Sequence, residues 1–258
     1  MWDRASDYFD DTMRSLGLLT RLRLDDRWFE GFDGRYDRAA RALPVAGAVA
    51  TLPAALALAA LALVGVAAPI AATVAVAVQL IVTAALHEDG LADSFDGLGV
   101  QGRERKLAVM RDSATGVFGV CALVTALLLR VLCLAALAAS PLVMLAAWVF
   151  ASGGARGAMV YLWHRSPPAS ATGAAHSAGH PNRAATRQAL IAVALLGMPA
   201  LVLSGPVAVA TAVLLVVGAV RVVKRTLVAP VGGHTGDLLG AMAVIAELCV
   251  RIALASIA

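Results

Sequence analysis

Residues 117–139 read VFGVCALVTALLLRVLCLAALAA, 23 positions whose one charged residue is Arg130. A run this long and apolar exceeds the roughly 18 consecutive residues that mark a membrane-spanning helix, and at 1.5 Å per residue it crosses a hydrocarbon core of about 30 Å. Working outward, similar runs occupy 44–64, 69–86, 141–163, 188–204, 206–223 and 237–257, giving seven expected transmembrane helices. Pro69, Pro141 and Pro206 fall at the tight joins between paired runs, where proline opens a helix without removing a hydrogen bond. The expected fold is therefore all-α, a polytopic helical membrane protein of three hairpins and a last single span. Composition agrees: 60% hydrophobic, 15% charged and 5% aromatic residues over 258 positions exclude a soluble enzyme, a disulfide scaffold and a disordered chain. Cys121, Cys133 and Cys249 lie inside apolar runs and read as small buried hydrophobes.

The loops divide by charge. Those near 64–69, 139–142 and 204–206 carry no Lys or Arg, whereas the amino-terminal segment and the loops 87–116, 164–187 and 221–236 carry nearly all of them. The positive-inside tendency then places the N-terminus and these three loops in the cytoplasm and the C-terminus outside. It also explains the net charge of +4 better than a nucleic-acid footprint does, so no nucleic-acid partner is expected. No cleavable signal peptide is expected, because the first forty or so residues are charged. Residues 1–43 mix charge with Trp2, Tyr8, Phe9, Trp28 and Phe29 and read as an amphipathic segment on the inner leaflet, leaving 44–258 as the transmembrane catalytic domain. Within the spans, Arg130, Arg156, Glu247 and Arg251 are functional candidates by default, with an internal pairing of Arg130 and Arg251 around Glu247 the plainer expectation. The Gly- and Ala-rich spans pack equally well within one chain or between copies, so a homo-oligomer stands among the expected assemblies.

Function is concentrated in residues 87–97, HEDGLADSFDG. If a helix runs through this stretch, Asp89, Asp93 and Asp96 at i, i+4 and i+7 project from one face. Stacked like charges repel, and a hard divalent cation among them removes the cost; oxygen-only ligation suits Mg2+, which bridges to phosphate oxygens. Glu88, turned about 100° away on the helix, is a second-tier ligand. A carboxylate-held Mg2+ at a membrane face points to transfer at a diphosphate. Walker-type, HExxH and nucleophile-elbow motifs do not occur in the sequence.

These residues, with Leu19–Leu22 (LTRL), Met110–Ser113 (MRDS) and Gly232–Asp237 (GGHTGD), resemble the cobalamin synthase family, adenosylcobinamide-GDP ribazoletransferases, in the same order along nearly the whole chain. The resemblance implies an Mg2+-dependent membrane enzyme that joins adenosylcobinamide-GDP to alpha-ribazole or its 5'-phosphate and releases GMP. It implies Asp89, Asp93 and Asp96 as metal ligands and catalytic carboxylates, with Asp96 the alternative acceptor of the hydroxyl proton. Asp237 is expected to complete the metal shell or cap the last helix. His87, Arg21, Arg111, Asp112, Arg156, His234 and Thr235 are expected at the substrate, the arginines because a guanidinium takes two phosphate oxygens at once; Asp112 is also a candidate cap for the third span.

Two places depart from the family pattern: residues 23–41 form a longer and more charged link, and the loop at His176, Gly179, His180, Pro181 and Asn182 finds no match. His176 and His180 read as solvent-exposed. The rivals are a CDP-alcohol phosphotransferase, whose Ala-Arg pair is missing because Asp93 follows Ala92, and a divalent-cation transporter, for which the second span offers only Thr73, Gln79 and Thr83.

Overall fold

The computed structural model describes residues 2–256, with side chains from residue 7 onward, so the side chain of Trp2 and the end of the last expected span at 257 lie outside the described residues. The chain is built of helices: α1 (Trp2–Leu19), α2 (Leu43–Ala50), α3 (Leu52–Leu63), α4 (Ala68–Thr83), α5 (Leu86–Asp96), α6 (Arg103–Val109), α7 (Val117–Leu137), α8 (Pro141–His164), α9 (Ala174–Ser177), α10 (Arg183–Val223), α11 (Ala229–Val231) and α12 (Gly236–Ala255). Five stretches among the described residues are long and apolar enough to cross a membrane, six if the bent pair α4 and α5 counts as one. Two features separate five from the expected seven: α4, 16 residues long, counts only together with α5, and α10 counts once although its backbone leaves helical geometry at Gly205 (φ 81°). Val193 and Val216, 23 positions apart and about 35 Å apart on a straight helix, belong to one hydrophobic cluster. Two arms thus fold back on each other at Gly205–Pro206, where the sequence placed the hairpin.

The side chains facing outward from these helices are apolar. Leu63 is 88% exposed, Val202 76% and Leu214 71%. Such a belt is unsustainable in water and natural in lipid, where a helix satisfies its own backbone groups. Inside, α12 packs on α8, α10, α5 and α7 and forms the axis of the bundle.

One expectation about the second span is corrected. The acidic stretch does not continue α4: the chain breaks at Ala84 (φ 55°) and Ala85 (φ 51°), and α5 leaves at about 90°. Left-handed backbone costs an alanine roughly 1–2 kcal/mol. The break is held by a capping hydrogen bond from Ala85 N–H to Leu80 O at 2.9 Å and by Arg21 N–H, which donates to Val82 O at 2.8 Å. The turn tucks α5 between the ends of α7 and α12.

The amino-terminal segment packs onto this same end. Leu16 and Leu19 of α1 share a core cluster with Leu43, Leu162 and Leu238, so the segment belongs to the common core. Asp11, buried, receives Arg41 Nε at 2.7 Å and an Arg38 guanidinium nitrogen at 3.0 Å. The aromatics are arranged edge to face, as with Phe9 and Trp28 at 5.2 Å.

Candidate functional site

Helix α5 meets α12 backbone to backbone. A Cβ added at Gly90 would stand 2.7 Å from Asp237 O and 2.8 Å from Asp237 Cα, and one at Gly240 would stand 3.3 Å from His87 Cα. Only glycine permits this crossing. Its result is that Asp89 and Asp93, neighbours at i, i+4, face the first turn of α12 and Asp237. Asp89 is exposed, and Asp93 and Asp237 are partly so. Partial burial and the neighbouring charges of Asp89, Asp237 and Asp96 push the Asp93 carboxyl up to about 6. Among the described residues, Asp89, Asp93 and Asp237 have no cationic partner within salt-bridge distance. An excess of uncompensated carboxylate is the environment a hard divalent cation relieves, so the donor set fits Mg2+ in kind. Among the described residues, however, no group of three or more His, Cys, Asp or Glu is already gathered closely enough to hold an ion.

The other expected ligands have different occupations. Both carboxylate oxygens of Asp96 accept backbone N–H groups at the start of α7, from Gly116 at 2.7 Å and Gly119 at 2.8 Å. Asp96 therefore does the capping that the sequence offered to Asp112, which instead accepts Ala114 N–H at 3.1 Å in a local turn. Gly116 and Gly119 are required there, since a Cβ on either would strike the Asp96 carboxylate at 2.7 and 2.5 Å. Glu88 is turned to the interior: buried, it accepts Arg130. Arg130 in turn donates to Glu247 at 2.8 Å, and Glu247 accepts Arg251, whose guanidinium lies 5.2 Å over the Trp148 ring. The expected pairing of Arg130, Glu247 and Arg251 is present, with Glu88 as its fourth member. Removing Arg130 leaves Glu88 buried and unpaired, and removing Glu247 does the same to Arg251.

The expected substrate contacts separate into exposed and enclosed. Arg21 is exposed beside the break that starts α5, and Arg111 lines a depression of about 370 Å³ with Arg103, Leu107 and Ser170 at the same end of the bundle. Arg156 and His87 are enclosed, 4% and 5% exposed, and Arg156 passes so close to Gly47 that a Cβ there would meet its Cδ at 2.8 Å. Neither reaches a surface ligand, a correction that follows from the small residues around them drawing the helices together.

His234 is also corrected: it is fully buried and fastens two loops. Its Nδ1–H donates to Ser166 O at 3.0 Å, its N–H donates to Pro167 O at 2.8 Å, and its carbonyl accepts Ala169 N–H at 2.8 Å. Burial pushes its imidazole down from the ordinary value, keeping it neutral. Gly233 is tightly enclosed, a Cβ there meeting Pro167 O at 2.3 Å. Thr235 caps α12, accepting Leu238 N–H at 3.2 Å, which relieves Asp237 of that role. The GGHT stretch is thus a clasp that sets where α12 begins. His180, exposed as expected along with His176, extends the clasp by donating from Nε2 to Ser166 O at 3.2 Å, while its backbone N–H reaches Asp37 of the amino-terminal segment. This role for the unmatched loop and for residues 23–41 had no local signal, because its partners stand over a hundred positions apart.

The sequence model of the cobalamin-5-phosphate synthase family matches residues 11–255. An adenosylcobinamide-GDP ribazoletransferase of Allorhizobium ampelinum is 42% identical over 257 residues, covering 97% of each chain. Another of the same name from a Sinorhizobium species is 42% identical over 256 residues, covering 97% of this chain and 98% of its own. One from Brucella ovis is 35% identical over 252 residues, covering 95% of each. No solved structure matches the chain.

Proposed function

This chain belongs to the cobalamin-5-phosphate synthase family, and from that premise we propose that it joins adenosylcobinamide-GDP to alpha-ribazole or its 5'-phosphate, with Mg2+, at the acidic end of its helical bundle. It is a membrane transferase of cobalamin synthesis. The observation that carries the finer reading is the open set Asp89, Asp93 and Asp237, three carboxylates without a cationic partner among the described residues. These three would hold the cation, and bound Mg2+ supplies neutralisation of the diphosphate and of the departing GMP. The ribazole hydroxyl forms a bond to the phosphorus attached to cobinamide, the bond from that phosphorus to the GMP oxygen breaks, and the hydroxyl proton passes to a carboxylate. Asp96 is a positioning residue in this reading, since both its oxygens already hold the start of α7. Arg111 and Arg21, exposed at the same end, supply guanidinium groups for phosphate oxygens. The positive-inside distribution supports a bacterial inner membrane with this end in the cytoplasm.

The test is GMP release by detergent-solubilised protein given adenosylcobinamide-GDP and alpha-ribazole, with and without Mg2+, beside Asp89→Asn. Mg2+-dependent GMP and a cobamide product, both lost in the variant, are expected. Equal product without Mg2+, or from the variant, overturns the site.

A further inference from the structure

On the flank of the bundle, a cleft of about 550 Å³ opens between α8, the two arms of α10, and α12. Its floor is a trough that includes Gly154 of α8, where a Cβ would meet only Val250 at 3.7 Å, while Val193 of the first α10 arm packs onto Gly157 and Val217 of the second arm stands as a wall. The lining is apolar from Phe150 until one end, where Arg165, Arg221 and Lys224 meet; all three are exposed, and no Asp or Glu lines the cleft. Lys224 Nζ is tied to Arg165 O at 3.2 Å, so the cationic end is held together rather than splayed. From Phe150 to Arg165 the trough follows fifteen positions of α8, about 22 Å at 1.5 Å per residue. Half a bilayer, hydrocarbon plus headgroup layer, is about 20–22 Å. Length, apolar lining and a one-sided cationic end therefore describe a single amphiphile, and Leu190 and Val213 of the lining, 44% and 49% exposed on spans that face lipid, make the cleft reachable from within the bilayer.

We propose that this cleft is a binding site for one anionic glycerophospholipid, with an acyl chain in the trough and its phosphate at Arg165, Arg221 and Lys224. The three cations select against a zwitterionic lipid of the same chain length, because cationic residues at the membrane surface favour anionic lipid. The bound chain would fill the cleft that α8, the two arms of α10 and α12 line together. The proposal is independent of the transferase reading.

The experiment is native mass spectrometry of the full chain released from nanodiscs of equal phosphatidylcholine and phosphatidylglycerol. The variants are Arg221→Gln with Lys224→Gln, Gly154→Leu, and Arg225→Gln, an exposed cation that does not line the cleft. A Cβ at Gly154 meets only Val250 at 3.7 Å, so a larger side chain there has room to occupy the trough without unfolding the bundle; unchanged thermal melts establish folding for each variant. One phosphatidylglycerol retained per chain is expected, about tenfold over phosphatidylcholine, falling about tenfold in the double variant, lost in Gly154→Leu and kept in Arg225→Gln. Equal retention of both lipids, equal loss in Arg225→Gln, or displacement of the lipid by adenosylcobinamide-GDP or by a second copy of the chain overturns it.

Discussion

Replacing Gly90 by alanine tests the construction of the acidic site with a single methyl group. The new Cβ would lie 2.7 Å from Asp237 O and 2.8 Å from Asp237 Cα, both backbone atoms that cannot rotate away. Ordinary contact begins near 3.5 Å, so α5 and α12 must separate by about 0.7–1 Å. Overpacking of this kind costs about 1–3 kcal/mol, against about 0.5–1 kcal/mol that alanine returns in a helix interior. Because Asp89 and Asp93 ride on one helix and Asp237 on the other, the separation falls directly on the carboxylate set. A misplacement of about 1 Å lowers a reaction rate by about 10²-fold. The assay is kcat for GMP release at saturating Mg2+ with a thermal melt in detergent, beside Gly218→Ala, whose Cβ meets nothing within 4 Å. Gly90→Ala is expected to lose about two orders of magnitude in kcat and to melt lower, with Gly218→Ala unchanged. Full activity together with a raised melting temperature would refute the close crossing and the site built on it.

Other expectations can be checked with the same preparations. Arg130→Ala strands Glu88 in the bundle interior and leaves Glu247 with Arg251 alone, and breaking a buried pair costs about 3–5 kcal/mol, so folded yield should collapse; adding Glu88→Gln should recover part of it, and no recovery would mean the two do not act as a unit. Asp96→Ala removes the acceptor for two α7 N–H groups, costing about 1–2 kcal/mol of stability with little change in the Mg2+ concentration needed, whereas Asp93→Asn should raise that concentration at least tenfold; the reverse pattern would make Asp96 the ligand. The Asp93 carboxyl, pushed up to about 6 from an ordinary 3.8, is less favourable ionised in the folded chain. Its contribution to stability is therefore present below the ordinary value and is lost as pH rises through about 6, and protons compete with Mg2+ below about 6. The Mg2+ requirement should rise by up to tenfold per pH unit below that point, and Mg2+ should restore melting temperature at pH 7.5; a requirement equal at pH 5 and 7.5 would contradict it.

The sequence by itself determined the helical membrane architecture, because an apolar run long enough to cross a bilayer has one low-energy conformation there and proline marks where it can begin. It placed the α10 turn at Gly205–Pro206 and the joins at Pro69 and Pro141. It also put Asp89 and Asp93 one helical turn apart, since the periodicity is local, whereas Asp96, expected beside them, is turned to the start of α7. Tertiary structure alone decided which of the acids are free. Glu88 and Asp96 differ little from their neighbours as letters, yet one is bound to Arg130, 42 positions away, and the other to backbone groups of Gly116 and Gly119. The break at Ala84–Ala85, in residues with high helix propensity, was invisible for the same reason: its strain is offset by distant contacts, Arg21 on Val82 and Gly90 on Asp237, that no local pattern encodes. His234 and Arg156, polar residues that sequence logic sends to a ligand, were enclosed by the close approach of glycine-bearing backbones, a property of pairs of elements and not of either alone.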